Sequence, residues 1–142
     1  MIRVALALVL AVLFVPGASA DDKADLKALA GKWDVAEADI EGKKDAQTFK
    51  GVVLVIENDT YSVKVGGTED KGTLKVDGSK KPKAMDITGS EGPNRGKTFL
   101  CLYELKDDTL TVCYSLDFKT RPTEIKTGEK SSRMIIVYKK KK

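Results

Sequence analysis

"TFLCLYELKDDTLTVCY", Thr98 to Tyr114, sets its own strand register. Pairing Leu105 with Leu110 across a four-residue loop brings Tyr103 opposite Val112, Cys101 opposite Tyr114 and Phe99 opposite Leu116. One face is then wholly apolar or aromatic. The other carries Leu100, Leu102, Glu104, Thr111, Cys113 and Ser115. Side chains alternate between faces along a strand, so a one-residue slip would scatter the apolar set, and burial selects against it. This register puts Cys101 on the core face and Cys113 on the opposite one. Neighbouring strands can be bridged only where both thiols share a face at short Cβ separation. Two free cysteines are therefore expected. A three-residue loop would instead set the two cysteines opposite each other and permit a bond.

The same period of two extends outward from this hairpin. Eight strands are expected, over residues 32–40, 52–57, 60–65, 72–76, 84–88, 98–105, 109–116 and 133–139. Turn residues separate them: Asn58-Asp59, Gly66-Gly67, Asp77-Gly78 and Lys106-Asp107-Asp108. Two connectors are longer, residues 89–96 around Pro93 and residues 117–132 around Arg121-Pro122, the second with room for a short extra strand at 123–126. Before the first strand, Leu26, Leu29 and Ala30 fall at helical spacing, predicting a helical turn over 22–30 that stops at Gly31. The expected fold is all-β: a single eight-stranded antiparallel up-and-down barrel with a short N-terminal helical turn. Closure of the sheet removes its exposed edges. A barrel of this size either fills with side chains or encloses one small ligand.

The first twenty residues read as a cleaved secretory signal peptide. Arg3 supplies the positive start, Val4 to Val15 the apolar run, and Ala18-Ser19-Ala20 the cleavage signal. That run is too short to span a bilayer. Residues 21–142 then form one domain, expected in the periplasm or outside the cell. The formal net charge of +4 is misleading, because Arg3 belongs to the leader and Lys139 to Lys142 form a basic tail. The body between them is close to neutral, which argues against a nucleic-acid surface. The chain contains no histidine, so the commonest general base and metal ligand are missing. Two cysteines alone do not make a structural zinc site. Neither a metal nor another cofactor is expected.

"LAGKWDV", Leu29 to Val35, holds the only tryptophan. Gly31-Lys32-Trp33 after a helical turn resembles the Gly-x-Trp motif that opens the first strand of lipocalins. "AGKWDV", "GTLKVD", "KKPKAMDIT", "EGPNRGKTF", "YELKDDTLTVCY" and "RPTE", in that order, resemble the uncharacterised planctomycete-type lipocalin-like (calycin) domain of exported proteins. The resemblance implies an exported barrel whose activity is unassigned. It also implies that Gly31 and Trp33 form the barrel floor, with a cation from the last strand over the indole. The chain departs from the pattern in carrying Ile125 where the family tends to an aromatic, and Lys139 and Lys140 where it tends to Arg. A lysine can still sit over an indole ring, with less stacking than arginine.

Tyr61, Tyr103 and Tyr114 all fall on apolar strand faces. Pointing inward, they either line a ligand cavity as polar handles in an apolar wall or belong to a filled core with each hydroxyl satisfied. Arg121 either binds a carboxylate at the barrel mouth or pairs with Glu124 to brace its loop. Asp86 alternates with Met85 and Ile87 and is expected to face solvent. "EGPNRGK" is one residue too short for a phosphate loop and leads into a strand, not a helix. Glu37, Glu57 and Glu104 are not paired by any spacing, so no enzyme is expected. Two functions remain. One is an exported binding protein for a small apolar or amphipathic ligand, contacting Tyr61, Tyr103, Tyr114 and Arg121. The other is a filled barrel that docks on an envelope protein, as an interaction or inhibitor module, through an apolar patch including Leu100 and Leu102. In either case a monomer is expected, with no membrane span.

Overall fold

The computed structural model describes residues 20–142. The proposed leader lies outside the described residues except for Ala20, which opens a helix, α1 (Ala20–Leu29). Nine strands follow: β1 (Gly31–Ile40), β2 (Lys43–Lys44), β3 (Val53–Glu57), β4 (Thr60–Val65), β5 (Thr68–Asp77), β6 (Lys83–Glu91), β7 (Thr98–Lys106), β8 (Thr109–Ser115) and β9 (Arg133–Lys140). A short 3-10 turn covers Gln47–Phe49. All pairings between the named strands are antiparallel, and β1 bonds both β3 and β9. β1 and the strands β3 to β9 therefore close into an eight-stranded barrel of lipocalin-like form. β2 is a two-residue return of the chain against the end of β1 and is not needed for closure.

The β7–β8 ladder has the register that burial demands. Cys101 pairs with Tyr114, Tyr103 with Val112 and Leu105 with Leu110. The hairpin narrows further to a Lys106–Thr109 pair, with Asp107 at φ 54° in the turn. The expected Phe99–Leu116 pair does not form, because β8 ends at Ser115 and the Leu116 N–H turns to the Ser132 carbonyl at 2.8 Å. Both cysteines are free and buried. Cys101 lies in the main core, and Cys113 lies outside the barrel wall with Ala84 and Leu102.

Two strands run longer than the hydrophobic pattern predicted. β5 begins at Thr68, in the polar run Thr68-Glu69-Asp70-Lys71, and β6 continues through Gly89 to Glu91. Both extensions lie at the open rim, where the inward positions are polar and alternation gives no signal. A register shift between Lys71 and Gly72 bends the sheet there. No strand forms at 123–126. Instead, residues 116–132 fold over the outer wall, where Ile125 packs against the cluster of Ala84, Leu102 and Cys113.

The closed end is built from α1 and the first turn of β1. Leu29 and Trp33 are fully buried, and the Trp33 indole Nε1–H donates to the Leu29 carbonyl at 2.9 Å. Lys140 Nζ sits 5.5 Å from the indole centroid, which supplies the cation expected over the floor. Gly31 makes this crossing possible. Its φ of +134° is open to glycine alone, and an added Cβ would stand 3.0 Å from Lys140 Cε. Two carboxylates anchor the helix. Asp22 accepts the Gly78 N–H at 2.9 Å, and Asp25 accepts Lys83 Nζ at 3.0 Å and the Tyr103 hydroxyl at 3.0 Å.

Candidate functional site

Inward positions of the eight barrel strands converge on one apolar core. Toward the open end this core is incompletely filled. It encloses a cavity of about 80 Å³ walled by Leu54, Ile56, Leu74, Ile87, Val112 and aromatic rings from β4, β7, β8 and β9. Above it lies a wider apolar recess of about 450 Å³, walled by Val35, Phe49, Val52, Val65 and Ile136. The two spaces share Val63, Asp70 and Tyr138 as a common wall. Phe49 reaches the recess because the 3-10 turn folds the chain back over the rim.

Tyr61 and Tyr114 line the cavity, as expected. Tyr61 points inward because β5 carries Gly72 opposite it. A Cβ at Gly72 would collide with the Thr88 carbonyl oxygen and stand 2.7 Å from Tyr61 Cε1. The Tyr61 hydroxyl donates to Asp70 Oδ2 at 3.3 Å. Tyr103 does not join the other two. Its hydroxyl is drawn down to Asp25 at the closed end, away from the cavity. Its place is taken by Tyr138, whose hydroxyl is 2.6 Å from that of Tyr114. Tyr138 was legible in principle: Met134, Ile136 and Tyr138 alternate along β9. Asp70 carried no such signal, since it sits in a polar run that reads as a loop.

The hydroxyls of this site are held in their neutral form. Burial pushes the Tyr114 and Tyr138 phenols well above the ordinary tyrosine range. Burial, then the neighbouring Asp70 charge, does the same for Tyr61. Tyr114 and Tyr138 bring two O–H donors to one mutual hydrogen bond. One O–H of the pair therefore has no acceptor among the described residues. Burial likewise raises both thiols, Cys101 and Cys113, which keeps them protonated and unreactive.

Arg121 is not at the mouth and does not pair with Glu124. It lies against the outer wall, where its guanidinium donates to the Cys101 carbonyl at 2.9 Å and the Met85 carbonyl at 3.3 Å and pairs with Asp86. Asp86 faces outward as expected, but this pairing half-buries it beneath the loop. The several donors of one guanidinium reach all three acceptors at once, which a lysine could not do as well. Its role is to pin residues 116–132 to the barrel. That loop also removes the docking patch expected on this wall, because Leu102 is buried beneath it and Leu100 is half-buried. Among the described residues, the exposed large apolar side chains are Val65 and Phe118. Val65 stands on the rim of the open end, and Phe118 packs on Phe99 with centroids 4.8 Å apart.

Among the described residues, no cluster of three or more His, Cys, Asp or Glu is placed to hold a metal ion. No helix among them is long and apolar enough to cross a membrane. No protein-family model, curated protein or solved structure matches the chain.

Proposed function

We propose that this chain is an exported binding protein, of the planctomycete-type lipocalin-like kind, that carries a small apolar or amphipathic molecule in its barrel. One observation carries the reading: an apolar recess at the open end shares a wall with a buried cavity that ends at a tyrosine pair with one unspent O–H donor. Apolar walls with a few convergent polar groups characterise small-molecule sites. The dimensions set the ligand. A cavity of about 80 Å³ accepts a short alkyl segment, and the rest of the molecule lies in the recess. Tyr61, Tyr114, Tyr138 and Asp70 are the polar contacts in this reading, and Tyr103 and Arg121 are structural. The competing reading, a filled barrel docking on an envelope protein, loses its apolar patch to the loop that covers Leu102.

Native mass spectrometry of the protein secreted by an exporting bacterium tests the proposal. The expected result is a chain beginning at Asp21 with a non-covalent adduct that leaves on denaturation. A chain retaining residues 1–20 would overturn export. A chain that stays free of adducts after incubation with a lipid extract of the same cells would overturn the carrier reading.

A further inference from the structure

Among the described residues, Asp70 is the only carboxylate on the wall of either space, and no lysine or arginine lines either one. It sits where the two meet. Its hydrogen bonds come from neutral donors: the Asn94 N–H at 3.3 Å, Asn94 Nδ2 at 3.0 Å and the Tyr61 hydroxyl at 3.3 Å. Among the described residues, no cation lies within ion-pair distance of it, and the nearby Lys71 is turned to Glu69 at 3.7 Å. Two of the three bonds are long, and a carboxylate has about four acceptor positions. A negative charge at the throat of an apolar chamber, unmatched by any protein cation, is a condition that a ligand can complete.

We infer that the barrel selects a cationic amphiphile: an aliphatic amine whose ammonium group meets Asp70 at the throat while its hydrocarbon body fills the apolar space. This rests on the carrier reading above and specifies the head group of its ligand. A charge-assisted N–H···O bond is roughly twice as strong as a neutral one. The rings of Tyr61 and Tyr138, both beside Asp70 on the wall, add a favourable surface for a cation. The same carboxylate opposes a fatty acid, whose head group would place like charges together at the throat.

Titration calorimetry with octylamine, octan-1-ol and octanoate at neutral pH separates the possibilities, since the three share one hydrocarbon chain. Octylamine should bind tightest, by about tenfold or more over octan-1-ol, with octanoate weakest. Asp70→Asn should erase the amine preference, bringing octylamine and octan-1-ol to within about twofold of each other. Where Asp70→Asn fails to fold, the unaltered protein keeps the inference testable: added salt should weaken octylamine binding and leave octan-1-ol, which carries no charge, unchanged. Binding of octan-1-ol or octanoate as tight as octylamine would overturn the head-group inference and leave the carrier reading standing. Failure of all three to bind would overturn both.

Discussion

Replacing Trp33 tests whether the closed end is a structural plug. The side chain is fully buried, donates to the Leu29 carbonyl at 2.9 Å and lies under Lys140. Trp33→Ala deletes the largest side chain of the floor, and truncations of this kind cost about 3–5 kcal/mol. A domain with a total stability of about 5–15 kcal/mol is brought close to unfolding by such a loss. Trp33→Phe is the finer probe. It keeps an aromatic ring but leaves the Leu29 carbonyl without its donor, about 1–3 kcal/mol, and opens a void where the second ring stood. The combined expectation is about 2–4 kcal/mol. Lys140→Met keeps the aliphatic stem and removes only the cation, about 1 kcal/mol or less. Because Lys140 and Trp33 touch, the two changes should be non-additive. Urea unfolding followed by far-UV circular dichroism measures each, since Trp33→Phe removes the chain's only indole fluorophore. Amide exchange in α1 should accelerate in Trp33→Phe. A Trp33→Phe protein within about 0.5 kcal/mol of the parent, or one with α1 protection unchanged, would refute the plug.

Three further outcomes follow from the geometry. Tyr138→Phe strands the buried Tyr114 hydroxyl and should cost about 1–3 kcal/mol, whereas Tyr114→Phe with Tyr138→Phe should cost less than either change alone; additive losses in urea unfolding would contradict the pairing. All four tyrosines have phenol pKa values raised in the fold. Above about pH 10 the unfolded chain therefore releases protons that the folded chain keeps, and stability falls as pH rises. Tyrosinate absorbance should appear in one step with loss of structure, and its appearance near pH 10 in a still-folded protein would contradict burial. Arg121→Ala should loosen residues 116–132, costing about 1 kcal/mol and speeding limited proteolysis there, with Arg121→Lys a poor rescue; an unchanged cleavage rate would show that the loop is held by other contacts.

The barrel was legible wherever one strand face is buried. The Thr98–Tyr114 stretch gave its register and both cysteine positions, because a slip would have exposed an entire apolar face. The floor was legible from Gly31 and Trp33 through the resemblance to lipocalins. The rim was not. Thr68 to Lys71 form part of β5, yet their inward positions are polar and lie beside open space, so the alternation that marks a strand is missing. For that reason Asp70 escaped notice. Tyr103 was misplaced for a different cause. Its strand face was right, but facing inward does not fix height along the barrel, and Asp25 on α1 captures its hydroxyl at the floor. Arg121 depended on the path of a long loop, which has no periodicity to read.

The most direct test of the account is the position of a bound ligand. Octan-1-ol, which carries no charge and so needs no ion pair with Asp70, can be added to methyl-labelled protein and its intermolecular nuclear Overhauser effects recorded. The account predicts contacts from the ligand's terminal methyl group to Leu54, Ile87 and Val112 inside the barrel. Contacts confined to outer-wall methyl groups such as Leu100 and Ile125, with the interior silent at saturation, would contradict it.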